Sequence, residues 1–178
     1  MSILIKSTTV GMLLLSSVSF NSQATQVGVQ WGELGKFTDI SAANQPRKSF
    51  KANLVRDFER YFVKLAKALP HDYEWHINVT DIDLAGDVNT KYSTGTTNFR
   101  VMDNHFKTKV AFSYQLIDGQ GNIVASADEV LYENSQAKFP SRPMMRQNFA
   151  YEKHMLKKWF NKTLMAKVES AGASQSSE

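Results

Sequence analysis

The chain has 178 residues, of which 42% are hydrophobic and 21% charged, a formal net charge of +4, and no cysteine. That composition excludes a disordered, collagen-like or disulfide-stapled chain. The mild positive charge leaves the partner class open, and the missing thiol removes both a disulfide framework and a cysteine nucleophile.

Residues 1–24 read as a secretory signal peptide cleaved after Ala24. Lys6 precedes an apolar run with Val10, Met12, Leu13, Leu14, Leu15, Val18 and Phe20, and Ser22-Gln23-Ala24 supplies a small-x-small cleavage signal. Ser16, Ser17, Ser19 and Asn21 dilute the run below the roughly 20 apolar residues that a membrane span needs. No cysteine follows it to carry a lipid. The expectation is a periplasmic protein with no membrane span. Removing the leader leaves about 150 residues, enough for one domain with an ordinary core. A single α+β domain is expected over 25–169. Ser170 to Glu178 lacks periodicity and bulk and reads as a disordered tail.

Along the mature chain, Gln26 to Trp31 alternates as a strand with Val27, Val29 and Trp31 on one face, ended by a turn from Gly32 to Gly35. Apolar residues then recur at helical spacing at Phe50, Leu54, Phe58, Tyr61, Phe62, Leu65 and Leu69, with Arg56, Arg60, Lys64 and Lys67 opposite and Pro70 as the stop. Tyr73 to Leu84 and Lys107 to Asp118 have strand chemistry. Asp118 to Asn122 is dense in turn formers and leads into a return strand, Ile123 to Tyr132, with a bulge expected near Asp128 and Glu129. Phe149, Met155, Leu156, Trp159, Phe160, Leu164 and Val168 form the stripe of a closing helix. The order β-α-β-β-β-α predicts a two-layer α+β fold, with a largely antiparallel four-stranded sheet and two amphipathic helices on one face.

The acidic constellation with ligand-like spacing is Asp81, Asp83 and Asp87. Started at Asp81, an EF-hand loop would have Asp83 and Gly86 in place but fails at Ala85 and Tyr92, so no metal ligand set is read here. In a regular strand Asp81 and Asp83 would share the face of Trp75, Ile77 and Val79. A bulge near Thr80 would instead turn Ile82 and Leu84 inward. Without that shift, burial of the acids would demand partners such as Arg47, Arg100, Arg142 or Arg146. His71, His76, His105 and His154 lack zinc spacing. No Gly-x-Ser-x-Gly elbow and no phosphate loop occurs, so no catalytic residue and no cofactor is assigned.

Charge is polarised along the chain. Residues 138–167 carry eight Lys or Arg residues against the single acid Glu152, whereas residues 72–87 carry Asp72, Glu74, Asp81, Asp83 and Asp87 with no Lys or Arg. Lys157, Lys158 and Lys162 form a candidate basic interaction surface, with Trp159 and Phe160 read as core. An exported location argues against nucleic acid and for an acidic envelope component or another envelope protein.

Val79-Thr-Asp-Ile-Asp-Leu-Ala-Gly-Asp87, Phe112-Ser-Tyr-Gln-Leu-Ile-Asp-Gly119 and Tyr151-Glu-Lys-His-Met-Leu-Lys-Lys-Trp-Phe160 together resemble a family of exported proteobacterial proteins, domain of unknown function 3016. The resemblance covers nearly all of the mature chain, including Trp31 and Phe37-Thr38-Asp39. It implies a Gram-negative periplasmic setting and brings no activity or catalytic residue. The expected function is a non-enzymatic binding or envelope-interaction module. The competing reading is a small-ligand or divalent-cation-binding protein, in one version a hydrolase, that uses Asp81, Asp83 and Asp87.

Overall fold

The computed structural model describes residues 25–94, 97–102, 106–134 and 140–175, so the leader read in residues 1–24 lies outside the described residues. Strand β1 (Gln26–Trp31) leads into helix α1 (Arg47–Ala66), which returns the chain to strand β2 (Glu74–Asp83). A helix joining two neighbouring strands carries the chain back to the starting end, so the second strand runs the same way as the first. β1 therefore pairs with β2 in parallel, from Gln26 opposite Glu74 to Trp31 opposite Val79.

β3 (Asp87–Thr94) and β4 (Thr97–Val101) form a separate two-stranded hairpin. β5 (Lys107–Ile117) and β6 (Ile123–Asn134) then complete a four-stranded sheet in the order β1-β2-β5-β6, with antiparallel β2–β5 and β5–β6 pairs. The short helix α2 (Arg142–Met145) precedes α3 (Ala150–Trp159), a π-helical segment Phe160–Leu164 and α4 (Met165–Gln175). The α+β class and the four-stranded sheet hold. The largely antiparallel sheet is corrected to a mixed one by the β1–β2 pair, and the order gains the β3–β4 hairpin and α2. α4 runs on to Gln175, into the segment read from the sequence as a tail.

Both long helical stretches lie on the same sheet face. Phe112 of β5 makes edge contacts with Phe62 of α1 and Trp159 of α3, with centroids 6.4 and 4.9 Å apart, and Trp75 of β2 packs on Phe62, Trp159 and Phe160. Alternation along β5 sends Thr108, Val110, Phe112, Tyr114 and Leu116 inward. Such burial of large apolar side chains is the main favourable term holding the two layers together.

The strand register shifts between Val79 and Asp81, at Thr80. Ile82 and Leu84 thereby turn into the core, while Asp81 and Asp83 are only partly buried. In the β5–β6 hairpin the pairing runs unbroken through Asp128 and Glu129. Its irregularity falls at Leu116 and Ile117, where β6 carries Val124 as the extra residue, not at the expected position.

Candidate functional site

The bulge decides what the acidic segment does. Once turned away from the core, Asp81 meets the segment that follows β1: Oδ1 accepts a 2.6 Å hydrogen bond from the Thr38 backbone N–H, and Oδ2 one of the same length from the Thr38 hydroxyl. Lys109 of β5 adds a 2.5 Å ion pair, with both side chains about four-fifths shielded. Burial raises the Asp81 pKa, but the hydrogen bonds from Lys109 and Thr38 outweigh it and hold the carboxyl below its ordinary range. Lys109 is correspondingly raised, first by its bond to Asp81.

Asp83 shifts the other way, raised by burial and then by the neighbouring Asp39. Asp87 is exposed at the start of β3. The three acids read from the sequence thus face different surroundings. Among the described residues no group of three His, Asp or Glu side chains is placed to hold a metal ion.

Sequence reasoning missed two neighbours of that segment. Asp39 joins β2 by a parallel bridge to Asp83, which brings its carboxylate within 3.0 Å of Arg100 on β4. Arg100 also donates to the carbonyls of Ser41, Leu84, Ala85 and Gly86 and so ties the hairpin to the turn after β2. Of the arginines proposed as partners, Arg100 is the one so used, and it serves Asp39. Arg47, Arg142 and Arg146 are exposed.

The second neighbour is Glu152, 2% exposed in the first turn of α3. Its Oε1 accepts from the Ala85 backbone N–H at 2.7 Å and lies 3.0 Å from Oγ1 of Thr108. Burial pushes its pKa up against these hydrogen bonds and against the field of Arg100. In the sequence Glu152 was only the odd acid of a basic stretch. Its place on the apolar side of α3, beside Met155 and Leu156, was the available signal.

The helix layer carries the opposite charge. Arg56, Arg60, Lys64 and Lys67 of α1, Arg142 and neighbouring Arg146 at α2, and Lys157, Lys158 and Lys162 are all exposed. The carboxylates of α1 are engaged: Asp57 accepts from Asn148 and Glu59 from the Trp31 indole. Between α1 and α3 runs a groove of about 600 Å³ lined by Lys64, His154, Lys157 and Lys158 and by no carboxylate. Lys158 also reaches Glu133 at 2.8 Å. The structure therefore sets Lys157 and Lys158 on one surface with Lys64, a neighbour not read from the sequence. Trp159 and Phe160 lie in the core, as their helical spacing predicts. His71 and His76 are exposed, and His105 lies outside the described residues.

Fold and face define a small α+β domain with a cationic helix layer over a mixed sheet. The chain belongs to the family of proteins of unknown function DUF3016, whose model matches residues 25–162. Among solved structures it is similar to a candidate lipoprotein from Caulobacter crescentus CB15, at 11% identity and a TM-score of 0.36, over 83% of this chain and 91% of that one. It is also similar to a hypothetical protein from Chlamydia trachomatis, at 9% identity and a TM-score of 0.34, over 82% of this chain and 96% of that one. No curated protein matches the chain. No helix among the described residues is long and apolar enough to cross a membrane.

Proposed function

We propose that the chain is an exported, periplasmic, non-enzymatic binding module that engages an acidic envelope component, such as another envelope protein, through the basic face of its helices. The observation that carries this reading is the groove between α1 and α3, which gathers Lys64, His154, Lys157 and Lys158 with no carboxylate in its wall. A surface of one sign attracts and orients a partner of the other. Export rests on the leader read in residues 1–24.

The competing divalent-cation or hydrolase reading has less support, since Asp81 is already spent on Thr38 and Lys109. A bare ion would have to displace a lysine from it. The test compares wild type with the variant Lys157→Glu, Lys158→Glu, Lys162→Glu for retention of acidic periplasmic components. Retention should be lost in the variant and should fall steeply for wild type as salt shortens the screening length toward about 3 Å near 1 M. Equal retention by both proteins would overturn the reading.

A further inference from the structure

A second cavity, of about 610 Å³, opens on the far side of Arg100, between α1, the turn after β2 and the start of α3. Its volume is that of a small-molecule site. The groups around it are largely spent. Arg100 is committed to Asp39 and four backbone carbonyls, the Ala85 N–H to Glu152, the Leu84 N–H to the Asp39 carbonyl, and Asp57 to Asn148. A charged ligand would find Arg56 and Asp57 as the lining ions not tied to a charge or to backbone, each already engaged by a side-chain amide, of Asn53 and Asn148. An extended peptide would find the backbone of residues 84–86 already bonded.

What remains unspent is side-chain amide. Asn44, Asn53 and Asn148 are each fixed at one end by a protein hydrogen bond, which leaves the other end of each carboxamide for a ligand. The side-chain amide of Gln147 lines the same cavity with no hydrogen-bond partner among the described residues, its backbone N–H donating to the Met144 carbonyl. These amides stand around Phe50 and Phe149, whose rings meet edge to face at 5.9 Å. Phe149 holds a left-handed backbone, φ 56°, a conformation that a bulky side chain seldom takes and that recurs at ligand clamps.

We infer that this cavity is a binding site for a neutral saccharide. Carboxamides both donate and accept and so match neighbouring ring hydroxyls, while the partly buried Phe50 and Phe149 supply an apolar wall for the C–H groups of a pyranose. This inference does not rest on the basic-face reading: the cavity shares Gln147 with the basic groove but none of that groove's cations, and its ligand is uncharged.

The test uses saturation-transfer NMR and calorimetry on the purified protein, with N-acetylglucosamine tetramer and maltotetraose as the neutral probes and an uncharged tetrapeptide as control. Saturable binding of at least one sugar is expected, weakened about tenfold or more, roughly 1.4 kcal/mol, by Gln147→Ala. Gln147 is exposed, and its one hydrogen bond among the described residues is made by the backbone, which alanine keeps, so this variant remains readable if Phe50→Ala fails to fold. The inference is overturned if neither sugar binds, if binding is indifferent to Gln147→Ala, or if the tetrapeptide alone saturates the site. The triple Glu variant of the basic face should bind the sugar as wild type does.

Discussion

Oε1 of Glu152 lies 3.0 Å from Oγ1 of Thr108, and the same hydroxyl lies 2.9 Å from the carbonyl oxygen of Asp83. Thr108 has one hydroxyl proton, and the Asp83 carbonyl can only accept. The Asp83 carbonyl and the Glu152 carboxyl therefore share that one donor. Burial raises the Glu152 pKa against the hydrogen bonds from the Ala85 N–H and the Thr108 hydroxyl. Glu152→Gln keeps the shape and an acceptor, so its melting temperature should stay within a few degrees of wild type. Glu152→Ala leaves a cavity and strands the Ala85 N–H, at a cost of about 2–4 kcal/mol in chemical denaturation.

The upward shift fixes a pH dependence. Because the folded pKa of Glu152 is raised, its contribution is complete below the unfolded carboxylate pKa. Above that value the unfolded chain ionises first, and stability falls as pH rises toward the folded pKa. Denaturant midpoints measured from pH 4 upward should show this fall in wild type and a flatter profile in Glu152→Gln. Identical profiles would sink the assignment.

Asp81 has the opposite sign. Its folded pKa is lowered by Lys109 and Thr38 against the effect of burial, so its contribution is present above the unfolded pKa and is lost as pH falls through the folded one. Asp81→Asn should lower stability at neutral pH by about 1–3 kcal/mol and narrow its gap to wild type in acid. A gap that stays constant with pH would show that the ion pair contributes nothing through its charge.

Arg100 gathers Asp39 and carbonyls from two segments through a planar fork that a lysine cannot copy. Arg100→Lys should therefore destabilise by about 1–3 kcal/mol. Hydrogen exchange should speed most in residues 87–94 and 97–101, since among the described residues the β3–β4 hairpin pairs with no other strand.

Gly86, in the same turn, has φ +74°, and an added Cβ would lie 2.5 Å from the Val101 carbonyl oxygen. Gly86→Ala should cost more than the roughly 1 kcal/mol of an ordinary left-handed glycine, because the hairpin base must move. Calorimetric melting would register it, and an unchanged midpoint would count against the observed turn.

Much of this fold was legible wherever one face of an element is buried. The stripe from Phe50 to Leu65 gave α1, and the alternation from Val110 to Leu116 gave β5. The conflict of Asp81 and Asp83 with Trp75 and Ile77 gave the bulge at Thr80. Strand direction was not legible, because the period of Val27, Val29 and Trp31 is the same whether β1 runs with β2 or against it. The β3–β4 hairpin was missed because Asn89, Thr90, Ser93 and Thr94 give no apolar alternation. For the site, the acids were visible but their partners Thr38 and Lys109 lie 43 and 28 positions away in the chain, and only the fold brings them together. Glu152 was hidden because its partners, the Ala85 N–H and Thr108, lie 67 and 44 positions away in the chain.

The π-helical segment Phe160–Leu164 has a consequence for how the C-terminal helix was assembled. A π turn holds one residue more than an α turn, so everything after it is rotated by about 100° relative to an uninterrupted helix. Val168 reaches the core, at 7% exposure, in that rotated phase. Closing the segment as ordinary α-helix at full length would swing Val168 by about 100° toward water, whereas deleting the exposed Asn161 would let it close with Val168 still facing the core. The π turn thus absorbs one residue locally, and a chain one residue shorter there would keep Leu164 and Val168 on the same core-facing stripe.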